Sequence, residues 1–163
     1  MNIEIKKEIS EDKLKNEIQK FVNKSVKGLR HGEISANQFE IKDALTEFRL
    51  AGKSCDDIAC ELLYTIEYCR LNKTINPIKR ANYYLKSAFL NELFGHDKKY
   101  VKNDADKACG LIINALKNEQ NIKSKNNLRF FANSIINRFK LQKYLIETLK
   151  DEEGYNLKNL IRQ

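Results

Sequence analysis

The chain has 163 residues, 30 Lys and Arg against 22 Asp and Glu, a net charge of +8 and a pI near 9.2. That length buries a full core without disulfides or metal, so one helical domain over residues 1–163 is expected. No run approaches the ~20 apolar residues of a bilayer span, and Glu4, Lys6, Lys7 and Glu8 stand where a secretion signal needs an apolar stretch, so the expectation is a cytoplasmic protein with no membrane partner.

One proline and six glycines, mostly at the edges of periodic apolar segments, make helix the dominant expectation. Residues 1–9 read as an extended arm or an early start to the first helix. The first helix starts after Ser10, with Glu11 and Asp12 at its positive end, and carries Leu14, Ile18, Phe21, Val22 and Leu29 inward until Gly32. Ser35 to Gln38 has capping-box form and opens a second helix with Phe39, Ala44, Leu45 and Phe48, which Gly52 ends. Ser54 caps a third, in which Ile58, Ala59, Leu62, Leu63, Ile66 and Cys69 repeat with helical period.

Asn76-Pro77 is a cap followed by proline at the first helical position, predicting a fourth helix from Pro77 to about Phe94, before Gly95. A Lys-rich connection, His96 to Lys102, leads to a fifth helix from Asn103 or Asp104. A sixth begins near Ser124 to Asn127 and runs to Leu149. Gly154 sets off a short amphipathic segment within residues 155–163. The expected fold class is all-α, an irregular bundle of about six helices in a single domain.

The cysteines, Cys55, Cys60, Cys69 and Cys109, form no CxxC and have no nearby histidine, so buried thiols in a reducing compartment are expected. Leu50 to Leu62 resembles the opening half of a helix-turn-helix, with Ser54 as cap and Ile58-Ala59 as the packing pair. The resemblance ends there: Cys60 to Ile66 continues the helix where a DNA-reading motif turns. Gly52-Lys53-Ser54 lacks the earlier glycine and strand of a phosphate-binding loop. His96-Asp97 has the form of a metal-binding pair, but with two histidines in the chain a helix-end turn is the better account. Arg30-His31 has no nucleophile or carboxylate beside it in sequence, and the pairs Asp56-Asp57 and Asp104 with Asp106 read as helix N-terminal charges.

Charge is segregated. The windows Ile18–Gly32, Tyr68–Asn91 and Gln120–Ile146 hold 15 cations and no carboxylate, while the other 15 cations share the rest of the chain with all 22 carboxylates. With 23 Lys, 7 Arg and 18 Asn, the composition also fits an AT-rich coding sequence, and Lys is the less specific reader of bases. On the fourth helix Lys79, Tyr83 and Lys86 share a face, flanked by Arg80 and Tyr84. Cations beside tyrosines suit a sequence-tolerant nucleic-acid surface.

The sequence therefore points to a non-enzymatic nucleic-acid-binding protein, for DNA or RNA. Its phosphate contacts are expected from Lys20, Lys24, Lys27, Arg30, Lys79, Arg80, Tyr83, Lys86, Arg129, Arg138, Lys140 and Lys143. The alternative is a phage or mobile-element interaction module, an inhibitor or adaptor whose basic face meets an acidic protein surface. Binding is favoured over catalysis, and the sequence assigns no catalytic residue, metal ligand or cofactor.

Overall fold

The computed structural model describes residues 10–32, 38–50, 55–72 and 75–144, and of these 88% are helical with no strand. Six helices follow in chain order: α1 (Glu11–Arg30), α2 (Gln38–Leu50), α3 (Cys55–Leu71), α4 (Pro77–Leu93), α5 (Lys98–Asn118) and α6 (Ile122–Phe139), closed by a 3₁₀ turn at Gln142–Tyr144. The all-α bundle is thus the observed architecture. The arm at 1–9, the caps expected at Ser35 and Ser54, the stop at Gly52 and the segment at 155–163 lie outside the described residues.

Local chemistry starts and stops the helices. Ser10 accepts from the Lys13 N–H at 3.3 Å, and Asn76 accepts from the Ile78 N–H at 2.8 Å with Pro77 behind it. Gly32 and Gly95 follow α1 and α4 at φ +74° and +70°. Gly32 has a second constraint, since a Cβ there would meet Phe130 Cε1 at 1.9 Å.

α4 is the axis of the bundle. It buries Ala81, Tyr84, Leu85, Ala88, Phe89, Leu90 and Leu93, leaving little of its circumference to solvent. Its neighbours are α1, α2, α3 and α5, while Phe89 meets Phe139 of α6 with ring centroids 5.5 Å apart. α1 contributes Leu14, Ile18, Val22, Val26 and Leu29 at three- and four-residue spacing, the signature of one buried helical stripe. α2 adds Ile41 and Phe48, and the buried Cys55 thiol donates to the Phe48 carbonyl at 2.7 Å, tying α2 to the start of α3.

Three boundaries differ from the sequence expectation. α5 begins at Lys98, not Asn103, because Asp97 caps it by accepting from the Lys99 N–H at 3.0 Å and Val101 is needed in the core. His96 to Lys102 is therefore mostly helix. α6 starts at Ile122, capped by Asn121, whose side chain accepts from the Ser124 N–H, and stops at Phe139 instead of running to Leu149. Lys140 takes the left-handed conformation (φ 58°), and the Leu141 N–H returns to the Ile136 carbonyl while its side chain is buried, a Schellman end made without glycine. α3 is continuous from Cys55 to Leu71, so the turn of a helix-turn-helix is absent there.

Candidate functional site

The first two acid-free windows meet. The Arg30 Nε at the end of α1 donates to Asn82 Oδ1 of α4 at 3.1 Å, and its guanidinium lies 5.8 Å from the Phe131 ring of α6. One turn along α4 from Asn82, the Lys86 ammonium sits 5.1 Å from the Tyr83 ring. Burial, and then the neighbouring Arg30 charge, hold the Lys86 ammonium below the usual lysine range. No carboxylate among the described residues forms an ion pair with Arg30 or Lys86. Tyr83 is half-buried and hydrogen-bonded to Cys69, and burial raises its phenol above the usual range.

Beneath Lys86 a groove of roughly 220 Å³ runs between α1 and α3 along α4. Val22, Leu62, Ile66 and Leu90, all buried, form its apolar floor. Gln19, Asn23 and Thr65 form its polar rim and are exposed. A turn beyond Gln19, Lys15 reaches across to Glu61 of α3 at 2.5 Å and bridges the two helices at that end. These rim residues were not legible in sequence, because they come from α1 and α3 and acquire meaning only through packing.

The remaining cations expected at the site divide between α1 and α4, where Lys24, Lys27 and Lys79 stay exposed, and other parts of the fold. Lys24 and Lys27 are exposed on the solvent face of α1, on the turns leading to Arg30, and Lys20 there lies 3.5 Å from Glu17. Lys79 is exposed in the first turn of α4, while Arg80 donates to the Arg70 carbonyl at 3.1 Å and so satisfies the end of α3. Arg129 is half-buried and donates to Asn126 at 3.0 Å. Arg138 pairs with Glu92 and lies against Phe89 and Phe139, about 15 Å along α4 from Asn82. Lys143 pairs with Asp106 at 2.5 Å, and with Lys140, Lys99 and Lys102 it lines a separate hollow of roughly 630 Å³. The third window thus lends Phe131 to the floor under Arg30, but its cations Arg138, Lys140 and Lys143 gather elsewhere.

A polar cluster invisible in sequence lies on the other side of α3. Asp104, whose side chain is 5% exposed, accepts from Arg70 Nη1 at 2.6 Å, Ser87 Oγ at 2.6 Å and Asn91 Nδ2 at 3.2 Å. Asp104 is therefore not an N-terminal helix charge, as its sequence position suggests, but the hub that joins α3, α4 and α5. Asn91 Oδ1 lies 2.7 Å from His96 Nδ1. Ser87 and Asn91 are both buried and Asp104 is held by Arg70, while His96 is exposed and lines a hollow of roughly 620 Å³ together with Ser87, Asn91 and Asp104. The geometry of the cluster is that of a structural clamp.

The thiols are less uniform than expected. Cys55 and Cys109 are buried, Cys69 is half-buried and Cys60 is exposed on α3. Burial, and then Asp56, raise the Cys55 thiol above its usual range, keeping it protonated as the donor to Phe48. Among the described residues, no group of three His, Cys, Asp or Glu is placed to hold a metal ion, and no helix is long and apolar enough to cross a membrane. No family model, curated protein or solved structure matches this chain.

Proposed function

We propose that this chain is a non-enzymatic nucleic-acid-binding protein that holds phosphates at the meeting of α1 and α4. The observation that carries the reading is the pair Arg30 and Lys86, two like charges brought near each other by the contact of Arg30 with Asn82, one turn from Lys86, with no carboxylate from the described residues paired to either and with Lys86 lining the groove. Elsewhere in the fold Arg70 is neutralised by Asp104 and Arg138 by Glu92, whereas Arg30 and Lys86 have no such partner among the described residues. Mutual repulsion and desolvation make Lys86 a costly cation until an anion arrives. The contact set is then Arg30, Lys79 and Lys86, with Lys24 and Lys27 beside them and Tyr83 under Lys86. Arg80, Arg138 and Lys143 leave the set because they are committed to the fold.

The test is a salt titration of binding. Each phosphate contact contributes a slope of about −0.7 in log affinity against log salt on a single strand and about −0.9 on a duplex. Charge reversal of Arg30 and Lys86 together is expected to weaken binding to all sequences alike and to remove about 1.4 from a single-strand slope. Wild-type protein that binds no nucleic acid at low salt would refute the reading.

One observation favours a protein partner as the second reading. Tyr64, Tyr68 and Leu71 are 79%, 70% and 61% exposed and recur at helical spacing along α3, an aromatic stripe of the kind enriched in protein interfaces. That stripe faces away from the Arg30–Lys86 groove, so a partner there leaves the basic face open.

A further inference from the structure

We infer that the groove between α1 and α3 seats one unstacked base of a single-stranded nucleic acid, with the adjoining phosphate held by Lys86 and Arg30. The inference rests on the phosphate-binding reading and adds a substrate class to it. Three features of the groove carry it.

First, the site is concave. A duplex keeps its bases inside the stack and presents a convex backbone, and proteins read it by inserting a helix or ribbon into its grooves. A hollow of roughly 220 Å³ does the reverse, receiving a group that the ligand puts forward. Unpaired bases splay out in this way, and single strands are recognised through such extruded bases.

Second, the lining suits a nucleobase. The floor of Val22, Leu62, Ile66 and Leu90 takes the apolar faces of a planar ring. The exposed amides of Gln19 and Asn23 each offer a donor and an acceptor at the rim, where the ring's polar edge would lie. Amides that turn to suit either pattern give tolerance among bases, which fits the Lys-rich, sequence-tolerant surface around them.

Third, the charge has one open side. The Lys15–Glu61 bridge links α1 and α3 one turn beyond Gln19, while Lys86 lines the groove and Arg30, at Asn82, and Lys79 lie toward the opposite, N-terminal end of α4. The stretch of α4 from Lys79 to Leu90 spans about 16 Å, so the strand enters and leaves on the cationic side and inserts a base between. A continuous run of stacked bases does not fit between helices bridged one turn beyond Gln19.

The experiment compares three fluorescein-labelled probes by anisotropy at one salt concentration. They are an oligothymidylate of about twelve nucleotides, the same strand with abasic sites at alternate positions, and a duplex of equal length. The oligothymidylate is expected to bind at least about fivefold more tightly than either of the others. Thr65→Phe, a substitution at an exposed rim position, is expected to plug the groove and lower oligothymidylate affinity to the abasic level with the salt slope unchanged. Equal affinity for the intact and abasic strands in wild-type protein overturns the inference while leaving the phosphate contacts of Arg30 and Lys86 in place. Full affinity in a folded Thr65→Phe variant overturns it as well. Absence of binding to all three probes overturns both this inference and the reading on which it rests.

Discussion

Removing the Asp104 carboxylate tests whether the polar clamp organises the bundle. Asp104→Ala takes three accepted hydrogen bonds from a site that is 5% exposed and leaves Arg70, itself 17% exposed, without its closest anion. Breaking a buried pair from one side costs about 3–5 kcal/mol, because the remaining charge stays desolvated. Glu67 still reaches Arg70 Nη2 at 2.9 Å and the Ser87 hydroxyl can turn to a carbonyl of its own helix, which places the expectation near the lower limit, about 3 kcal/mol. For a domain of this size that is a fall in Tm of about 6–12 °C. Urea and thermal melts followed by far-ultraviolet circular dichroism measure it. The double variant Arg70→Met with Asp104→Leu is expected to recover most of the loss, since no charge is then stranded. A loss under about 1 kcal/mol for Asp104→Ala would mean that the cluster is a surface feature and not a clamp.

Three further outcomes follow from the same geometry. Lys86→Met is expected to raise stability by about 0.5–2 kcal/mol while weakening nucleic-acid binding, the pattern of a functional charge held at a cost to the fold. Because the folded protein holds the Lys86 proton less tightly than the unfolded chain, the penalty is full below the folded pKa and fades as pH rises through it, so the stability gap between Lys86→Met and wild type should narrow in alkaline melts. Gly32→Ala is expected to cost about 1–2 kcal/mol through its φ of +74°. In a Phe130→Ala background, where the contact with Cε1 is gone, most of that cost should persist, and its disappearance in thermal melts would show that the close approach and not the backbone demands glycine. Titration with a chromogenic disulfide should modify Cys60 first, with Cys55 and Cys109 reacting only on unfolding. A fast phase that survives Cys60→Ser would contradict the burial pattern.

Where an element is set by its own residues, the sequence reveals it. Ser10 and Asn76 as caps, Pro77 at the first helical position and Gly32 and Gly95 as stops are local signals, and each boundary lies where they put it. The start of α5 was masked by Lys98, Lys99 and Lys102, which look like a solvated connection. What fixes it is Asp97 as cap and the burial of Val101 against the rest of the bundle. Starting the helix there puts Asp104 three residues after Val101 on the inward stripe, a charged residue in a core position and the one sequence clue to the clamp. The end of α6 has no glycine to announce it. A lysine takes the left-handed position because Leu141 gains burial by turning back.

The candidate site divides in the same way. Arg30, Lys79, Tyr83 and Lys86 were legible because acid-free windows and a shared helical face are properties of short stretches. That Arg138 and Lys143 are neutralised was not, since Glu92 and Asp106 are 46 and 37 residues away and lie outside the windows that made those cations conspicuous. Gln19, Asn23 and Thr65 carry no motif at all, and only the packing of α1 and α3 on α4 makes a rim of them.

The most direct test of the account sets two charge reversals side by side in one salt titration of single-strand binding. Arg30→Glu with Lys86→Glu alters the face where two windows converge, and Lys99→Glu with Lys140→Glu makes the same charge change in the separate hollow beside α5. Both pairs lower the net charge equally, so a general electrostatic attraction responds to them alike. The first pair is expected to flatten the salt slope by about 1.4 and to weaken binding to every sequence, while the second leaves the slope within experimental error of wild type. Equal losses from the two pairs, or a greater loss from the second, would contradict the placement of the site at α1 and α4.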